Sequence, residues 1–259
     1  MMYNKFLLIG LLFLMSFVYS QDKTYQITYE NFFELSEDGL AYEFEDKETR
    51  DFYRELWNRK KVYHLLTDKQ KGYFSQEHHL EDQKVLNSSD GSVVSYDNHA
   101  PDLYLNYKEQ TWSQLTDTKN VIIQDELAKP LWNIDRNASN VPQFFGFKTM
   151  KAEINDGSGM IITAYYTPEI PISAGPEKYY GLPGLILYLE MRLEEDDPES
   201  AIVANIWQAK LVEEVKQSIP SLKIKRKTKF MTEMDYQNLL EANMQKQKEY
   251  NSSGVEKID

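Results

Sequence analysis

The sequence has no cysteine. That excludes a disulfide framework, a thiol nucleophile, a cysteine-based zinc site and a lipid-modified cysteine behind a leader. It does not argue against export, because a chain of 259 residues buries a sizeable core without covalent staples. Histidine is also scarce, four residues in all: His64, His78, His79 and His99. His64 falls in an expected strand and reads as a partly buried side chain. Neighbours such as His78 and His79 point to opposite faces of a strand and do not chelate one ion. No metal site and no cofactor are expected.

Basic residues are the third shortage, 29 Lys and Arg against 41 Asp and Glu, for a formal net charge of −12. Nucleic acid requires a basic face, so it is excluded as a partner. Electrostatic docking on anionic lipid is excluded on the same ground, and the acidity is read as keeping the protein soluble. Signatures of catalysis are missing too. There is no G-x-S-x-G. Gly181–Gly184 lacks the Lys-Ser/Thr of a phosphate-binding loop and opens a strand rather than a helix. With 41 acids, sequence proximity singles out no carboxyl pair for acid–base work, and no catalytic residue is assigned. The acidic run Glu194–Glu199 lacks the spaced ligands of a calcium loop and reads as a solvated hairpin tip.

What is present begins with a leader. In "MMYNKFLLIGLLFLMSFVYSQDK", Lys5 precedes an apolar run from Phe6 to Val18, and Ser20 supplies a small residue before Gln21. This is the pattern of a secretory signal peptide, with cleavage expected between Ser20 and Gln21. The run is shorter than the span of about 20 residues that a membrane helix needs, so no transmembrane segment is expected after cleavage. Residues 1–20 are therefore a signal peptide and residues 21–259 one β-rich domain, periplasmic or extracellular, with a C-terminal helix and a frayed tail.

Aromatic residues make up 13% of the chain, with 18 Tyr, which favours strands over a helical bundle. Thr24–Leu35 alternates, putting Tyr25, Ile27 and Tyr29 on one face. Glu48–Lys61 carries Phe52, Tyr53, Leu56 and Trp57 at helical spacing. Val62–Leu66 and Gly72–Gln76 form a hairpin, whereas residues 77–101, rich in Asn, Ser and Asp, read as a loop or insertion. "DLYLNYKEQTWSQL" and "NVIIQDELAKPLWNI" read as strands leading to Trp132 and Ile134. Phe144–Ile154 and Gly159–Thr167 pair across an Asp-Gly-Ser-Gly turn. In the strand from Leu185 to Arg192, Leu185, Leu187, Leu189 and Met191 face one way and increasingly polar residues the other, as in a strand buried on one side. After the basic run Ser221–Phe230, Thr232 and Asp235 open a helix in the manner of a capping box. The sum is a mainly β (β-rich α+β) fold, a strongly curved antiparallel sheet or open barrel with a few peripheral helices.

The most informative stretch is the connection from Pro168 to Pro183. It is longer than the usual hairpin loop of about 2–5 residues, which marks it as functional or packed by its own side chains. Pro168, Pro171, Pro176 and Pro183 stiffen it, and Tyr179 and Tyr180 give it aromatic surface. A pre-ordered aromatic loop suits recognition of peptides or sugars; the alternative is that it only plugs one end of the sheet. Candidate ligand-binding residues are Tyr166, Glu169, Tyr179 and Tyr180. Glu169, set between Pro168 and Ile170-Pro171, is either a functional carboxyl or an acceptor for loop amides.

The segment "FGFKTMKAEI … AYYTPEIPISAGPEKYYGLPGLILYLE" resembles the GLPGLI family of exported Bacteroidota proteins, named for the hexapeptide Gly181-Leu182-Pro183-Gly184-Leu185-Ile186. Tyr166–Pro171, Gly175-Pro176 and "LWNI" at Leu131–Ile134 belong to the same pattern, which covers Leu131 to Met191 closely. Thr149 stands where many relatives carry cysteine. The resemblance implies an extracytoplasmic β-rich fold related to the bowl-like N-terminal domain of some peptide-N-glycanases, and it implies no catalysis. Three readings follow. The first is a non-catalytic binding or accessory protein for an envelope or outer-membrane protein, a peptide or a glycan. The second is an extracytoplasmic hydrolase using Glu169, and the third a carrier of an apolar ligand.

Overall fold

The computed structural model describes residues 23–78, 83–87, 93–97, 100–116, 120–138, 141–155, 157, 159–193 and 199–252. The expected leader and its Ser20/Gln21 cleavage point, His79, His99 and the tip from Glu194 lie outside the described residues, although Glu199 is described. In chain order the elements are β1 (Thr24–Leu35), α1 (Glu37–Glu43), α2 (Lys47–Asn58), β2 (Lys61–Thr67), β3 (Lys71–Gln76), β4 (Gln83–Asn87) and β5 (Val93–Asp97). There follow β6 (Leu103–Asn106), β7 (Thr111–Leu115), β8 (Val121–Glu126), β9 (Asn133–Asp135), β10 (Met150–Asn155) and β11 (Met160–Thr167). The chain closes with β12 (Leu185–Leu193), β13 (Ile202–Val215), β14 (Lys229–Met231) and α3 (Glu233–Ser252).

Twelve strands form one open sheet in the order β14-β8-β7-β6-β3-β2-β1-β13-β12-β11-β10-β9, and β4 and β5 form a separate two-stranded ribbon. The mainly β class, open sheet and few helices match the expectation. The sheet is mixed rather than wholly antiparallel, because β14 runs parallel to β8. This pairing is made by the end of the basic run, which crosses back from β13 to reach β8.

β1 is the central strand. Its alternation buries Ile27, Tyr29 and Asn31 on one face, as the sequence pattern requires. Asn31 Nδ2 donates to the Ile206 carbonyl at 3.1 Å, satisfying a buried amide across the β1–β13 ladder. α1 follows, capped by Ser36, whose hydroxyl accepts from Gly39 N at 3.1 Å. Gly39 is required there, since a Cβ would sit 2.0 Å from the Ser200 carbonyl oxygen. α2 lays Tyr53 on Phe44, ring centroids 4.3 Å apart. At the other end of the chain Thr232 Oγ1 accepts from Asp235 N at 3.1 Å, the expected start of α3.

Several expected strands are shorter than their apolar runs. "DLYLNYKEQTWSQL" turns at Gln110, whose φ is 52°, and becomes the β6–β7 hairpin. β10 starts only at Met150, because Phe145 (φ 54°) and Gly146 (φ 76°) make a tight turn bridged by Phe144 and Phe147. The run through Leu127 to Trp132 is irregular around Pro130 and separates β8 from β9.

The core explains the curvature. Ile123 and Leu127, from the β8 end of the sheet, share one buried cluster with Ala152, Ala164 and Tyr166 from β10 and β11 near the other end. The space between them is filled by the Pro-rich connection, with Ile170, Ile172, Ala174, Tyr180 and Leu182 all buried. A sheet whose two ends pack on one central segment must wrap around it.

Candidate functional site

The Pro-rich connection is built into the sheet before it presents anything to solvent. Leu185 N donates to the Ile170 carbonyl at 3.1 Å and Ile186 N to the Ala174 carbonyl at 2.9 Å. The segment thereby takes the edge of β12 that β13 leaves open, since β13 pairs only from Tyr188 onward. Leu185, Ile186 and Leu187 are in consequence all fully buried. The expectation of a strand buried on one side fails here: a bulge opposite Tyr165/Tyr166 breaks the alternation, and the loop covers the second face.

Five of the six residues of the hexapeptide have a definable task. Gly181 adopts φ +99°, a conformation that side chains avoid, and its N–H donates to Ser173 Oγ at 2.7 Å. Leu182 enters the core. Gly184 lies against β11 so closely that a Cβ would meet the Thr167 carbonyl oxygen at 2.1 Å. Ile186 is held from the central strand, its carbonyl accepting from Tyr29 OH at 2.6 Å. Trp132 of "LWNI" closes the arrangement by donating Nε1–H to the Tyr180 carbonyl at 2.7 Å. Thr149 is buried, and its hydroxyl donates to the Pro142 carbonyl.

The four candidate ligand residues part company. Tyr166 is buried beneath the sheet at 1% exposure. Tyr180 is buried too; its ring stacks on Tyr107 at 5.5 Å and its hydroxyl donates to the Leu127 carbonyl at 2.8 Å. Glu169 sits on an exposed turn, where its carboxylate accepts from Lys148 N at 2.8 Å and ties the start of β10 to the end of β11. Of the four, Tyr179 alone borders the space enclosed between the loop and the sheet.

That space is a cleft of about 480 Å³ between the loop and the inner face of the sheet. Tyr63, Phe74 and Leu103 form its sheet wall, Ala128 its lip, and Glu177, Lys178 and Tyr179 its loop wall. Trp207 stands behind the wall, its ring 4.8 Å from Tyr63 and 5.8 Å from Phe74. Gln76 and Gln114 add amides; Gln76 Oε1 already accepts from Ala100 N at 2.7 Å.

Glu177 is the residue that sequence reasoning missed. It follows Pro176 in a left-handed conformation, φ 51°, which a glutamate adopts only when its surroundings enforce it. Its carboxyl makes no hydrogen bond or ion pair among the described residues. The neighbouring Lys178 is engaged elsewhere: its ammonium lies 3.3 Å from the centre of the Trp112 ring and 3.3 Å from Glu233 Oε2 at the start of α3. Burial holds the Glu177 carboxyl above its ordinary value, with Lys178 opposing only in part. The signal available in the sequence was an acid in the stiffened "GPEKYY" segment beside two tyrosines, but nothing there says which loop acid faces inward.

A stability consequence follows. A carboxyl with a raised folded pKa binds its proton more tightly folded than unfolded, so its contribution is fully present below the ordinary value of 4.5 and declines as pH rises through the raised one. Glu177→Gln is therefore expected to melt above the wild type at pH 7, with the gap closing at pH 4. Thermal melts across that range check it, and equal melting at both pH values would contradict it.

His64 is tied down, Nδ1 lying 3.2 Å from Thr28 Oγ1 and Nε2 3.1 Å from Glu77 Oε2. Among the described residues no group of three His, Asp or Glu is placed to hold a metal ion, and no helix is long and apolar enough to cross a membrane.

A family model described as a protein of unknown function (Porph_ging) matches residues 103–188, about a third of the chain. The match runs from the start of β6 to Tyr188 and takes in the whole Pro-rich connection and Glu177. No curated protein matches the chain.

Proposed function

We propose that the protein is an exported, non-catalytic binding or accessory protein of the GLPGLI type, and that it takes a peptide, protein or glycan ligand in the cleft between the Pro-rich connection and the sheet. The observation that carries this reading is an unpartnered carboxyl, Glu177, held in an aromatic-walled cleft of about 480 Å³, a volume within the usual range of about 300–1,000 Å³ for ligand sites. The leader and the Ser20/Gln21 boundary support export to the periplasm or beyond, with residues 21–259 acting as one unit in the envelope.

The other readings have less behind them. A hydrolase centred on Glu169 would need that carboxylate free, and it serves instead as an acceptor for the Lys148 amide. Glu177 is the one acid among the described residues lining the cleft, whereas carboxyl-based hydrolysis of glycosides uses two. A carrier of apolar ligands needs an unfilled interior, and this interior is occupied by Trp207, Tyr29 and Tyr166.

The test is site-directed photocrosslinking in the native envelope. A benzophenone amino acid at Ala128, on the exposed lip of the cleft, is expected to give a discrete adduct identifiable as peptide, protein or glycan. The same group at Tyr42, 63% exposed on α1, is expected to give none. Identical adducts from both positions, none from Ala128, or hydrolysis of the captured molecule by the purified protein would overturn the reading.

A further inference from the structure

We propose that the cleft is a receptor for a basic side chain of a partner polypeptide, with the lysine or arginine stem between the rings of Tyr63, Phe74 and Tyr179 and the charged head on the Glu177 carboxylate. This rests on the reading of the cleft as a binding site and specifies its occupant.

The Glu177 carboxyl lacks an ion-pair partner of opposite charge among the described residues. A carboxyl drawn out of water carries a free-energy penalty unless hydrogen bonds or an opposite charge compensate it. For the half-buried Glu177 no hydrogen bond or ion pair among the described residues does so, and Lys178 opposes the penalty only in part, its ammonium lying against the Trp112 ring and Glu233. A cation brought in from outside would complete the compensation. The walls specify which kind. Tyr63, Phe74 and Tyr179 line the same cleft, and aromatic faces attract cations, guanidinium most of all because it is weakly hydrated and planar. Gln114 supplies a further amide beside the path. A neutral sugar could stack on the rings but would leave the carboxylate's charge uncompensated. The whole chain, at −12, adds a field that draws basic partners and repels acidic ones.

The left-handed backbone at Glu177 fits this role. Strained conformations of non-glycine residues persist where the surroundings over-determine them, commonly at ligand clamps. Here Pro176 on one side and the anchored Lys178 and Tyr180 on the other fix the strained residue, so the carboxyl is presented without a freely swinging backbone.

The experiment uses the mature protein and two pentapeptides, acetyl-Ala-Ala-Arg-Ala-Ala-amide and the same peptide with citrulline, the neutral isostere of arginine, in place of arginine. Binding is followed by amide chemical shifts and calorimetry, with N-acetylglucosamine as a third probe. The arginine peptide is expected to bind at least tenfold tighter than the citrulline peptide and to shift the amides of Gln114, Ala128 and Glu177. That discrimination should vanish in Glu177→Gln and survive in Glu169→Gln. Ala128→Trp, which fills the lip without touching the carboxyl, should abolish binding of both peptides. Equal affinity for the two peptides, unchanged discrimination in Glu177→Gln, or no binding of either peptide overturns the proposal. Cleft shifts from the sugar alone would sink the basic-side-chain assignment and leave the wider binding reading standing. Failure of all three probes, together with no adduct from Ala128, would sink both.

Discussion

Gly184→Ala is expected to destabilise the protein by about 3 kcal/mol or more, the upper end of what overpacking costs in well-packed interiors. The added methyl would meet the Thr167 carbonyl oxygen at 2.1 Å, the Thr167 carbonyl carbon at 2.7 Å and Pro168 Cα at 3.0 Å. All three are backbone atoms, and neither backbone is free to retreat. Thr167 is paired with Leu185 in the β11–β12 ladder, Pro168 opens the connection that fills the core, and Leu185 itself is fully buried. For a domain of this size about 3 kcal/mol corresponds to a fall in melting temperature of roughly 6–12 °C. Gly181→Ala separates shape from conformation. An added methyl would meet the flexible Lys129 side chain, Cγ at 3.1 Å, and Trp132 Cδ1 at an ordinary 3.6 Å, so its cost comes chiefly from the φ of +99°. About 1–3 kcal/mol is expected for that strain. Urea unfolding of both variants measures the order. If Gly184→Ala loses less than Gly181→Ala, the contact with β11 is not what fixes glycine at position 184.

The same glycine shows how far the sequence could be read. A glycine-proline breaker set directly before Leu185-Ile186-Leu187 marked a turn closing onto a strand, and that is what stands there. The reason for Gly184 was out of reach, because it is a close approach to Thr167 across 17 residues of chain. Local signals served well elsewhere. β1 was legible end to end from its alternation, the β2–β3 and β10–β11 hairpins from their turns, and α3 from Thr232 and Asp235. What escaped was set by tertiary contacts. α1 hides behind Gly39, a poor helix former kept because the Ser200 backbone passes where its side chain would be. β14 lies in a basic run with no apolar period, and its strand exists only because β8 offers an edge to pair with. The period-2 pattern of β12 broke at Leu187, where the bulge shifts the register.

The candidate site divides along the same line. The Pro-rich connection was recognisable as the place to look, and one segment both fills the sheet and lines a cleft. Ile170, Ile172, Tyr180 and Leu182 plug the sheet, while Glu177, Lys178 and Tyr179, carried on the same segment, form a wall of the cleft. Sequence left Glu169, set among prolines, as either a functional carboxyl or an acceptor for loop amides. Proline neighbours do not bury a carboxyl; Glu169 lies exposed and accepts from a backbone amide, that of Lys148. The distinction between the two glutamates is one of direction, and direction is decided by the left-handed turn at Glu177.

Tyr180→Ala is the second change expected to have a large effect, about 3–5 kcal/mol, as for other buried aromatic side chains cut to alanine. The ring is only 5% exposed, stacks on Tyr107, and ends in a hydroxyl that donates to the Leu127 carbonyl at 2.8 Å. Truncation leaves a ring-sized void between the loop and the end of β8, and a buried carbonyl without its donor. Tyr180→Phe isolates the second loss, for which about 1–2 kcal/mol is expected from one unsatisfied buried acceptor. The variants also test how stability reaches the cleft. Leu127 precedes Ala128 at the cleft lip, so the Tyr180 hydroxyl is the tether that holds the lip toward the loop wall carrying Glu177. In Tyr180→Phe the fold is retained and the tether is gone. Weaker binding of the arginine peptide is then expected together with shifted amides at Leu127 and Ala128, while discrimination against citrulline persists because Glu177 is untouched. Unchanged affinity in a Tyr180→Phe protein of lowered stability would show that the lip is positioned by the sheet alone, and that the plug and the cleft wall, though one segment, act independently.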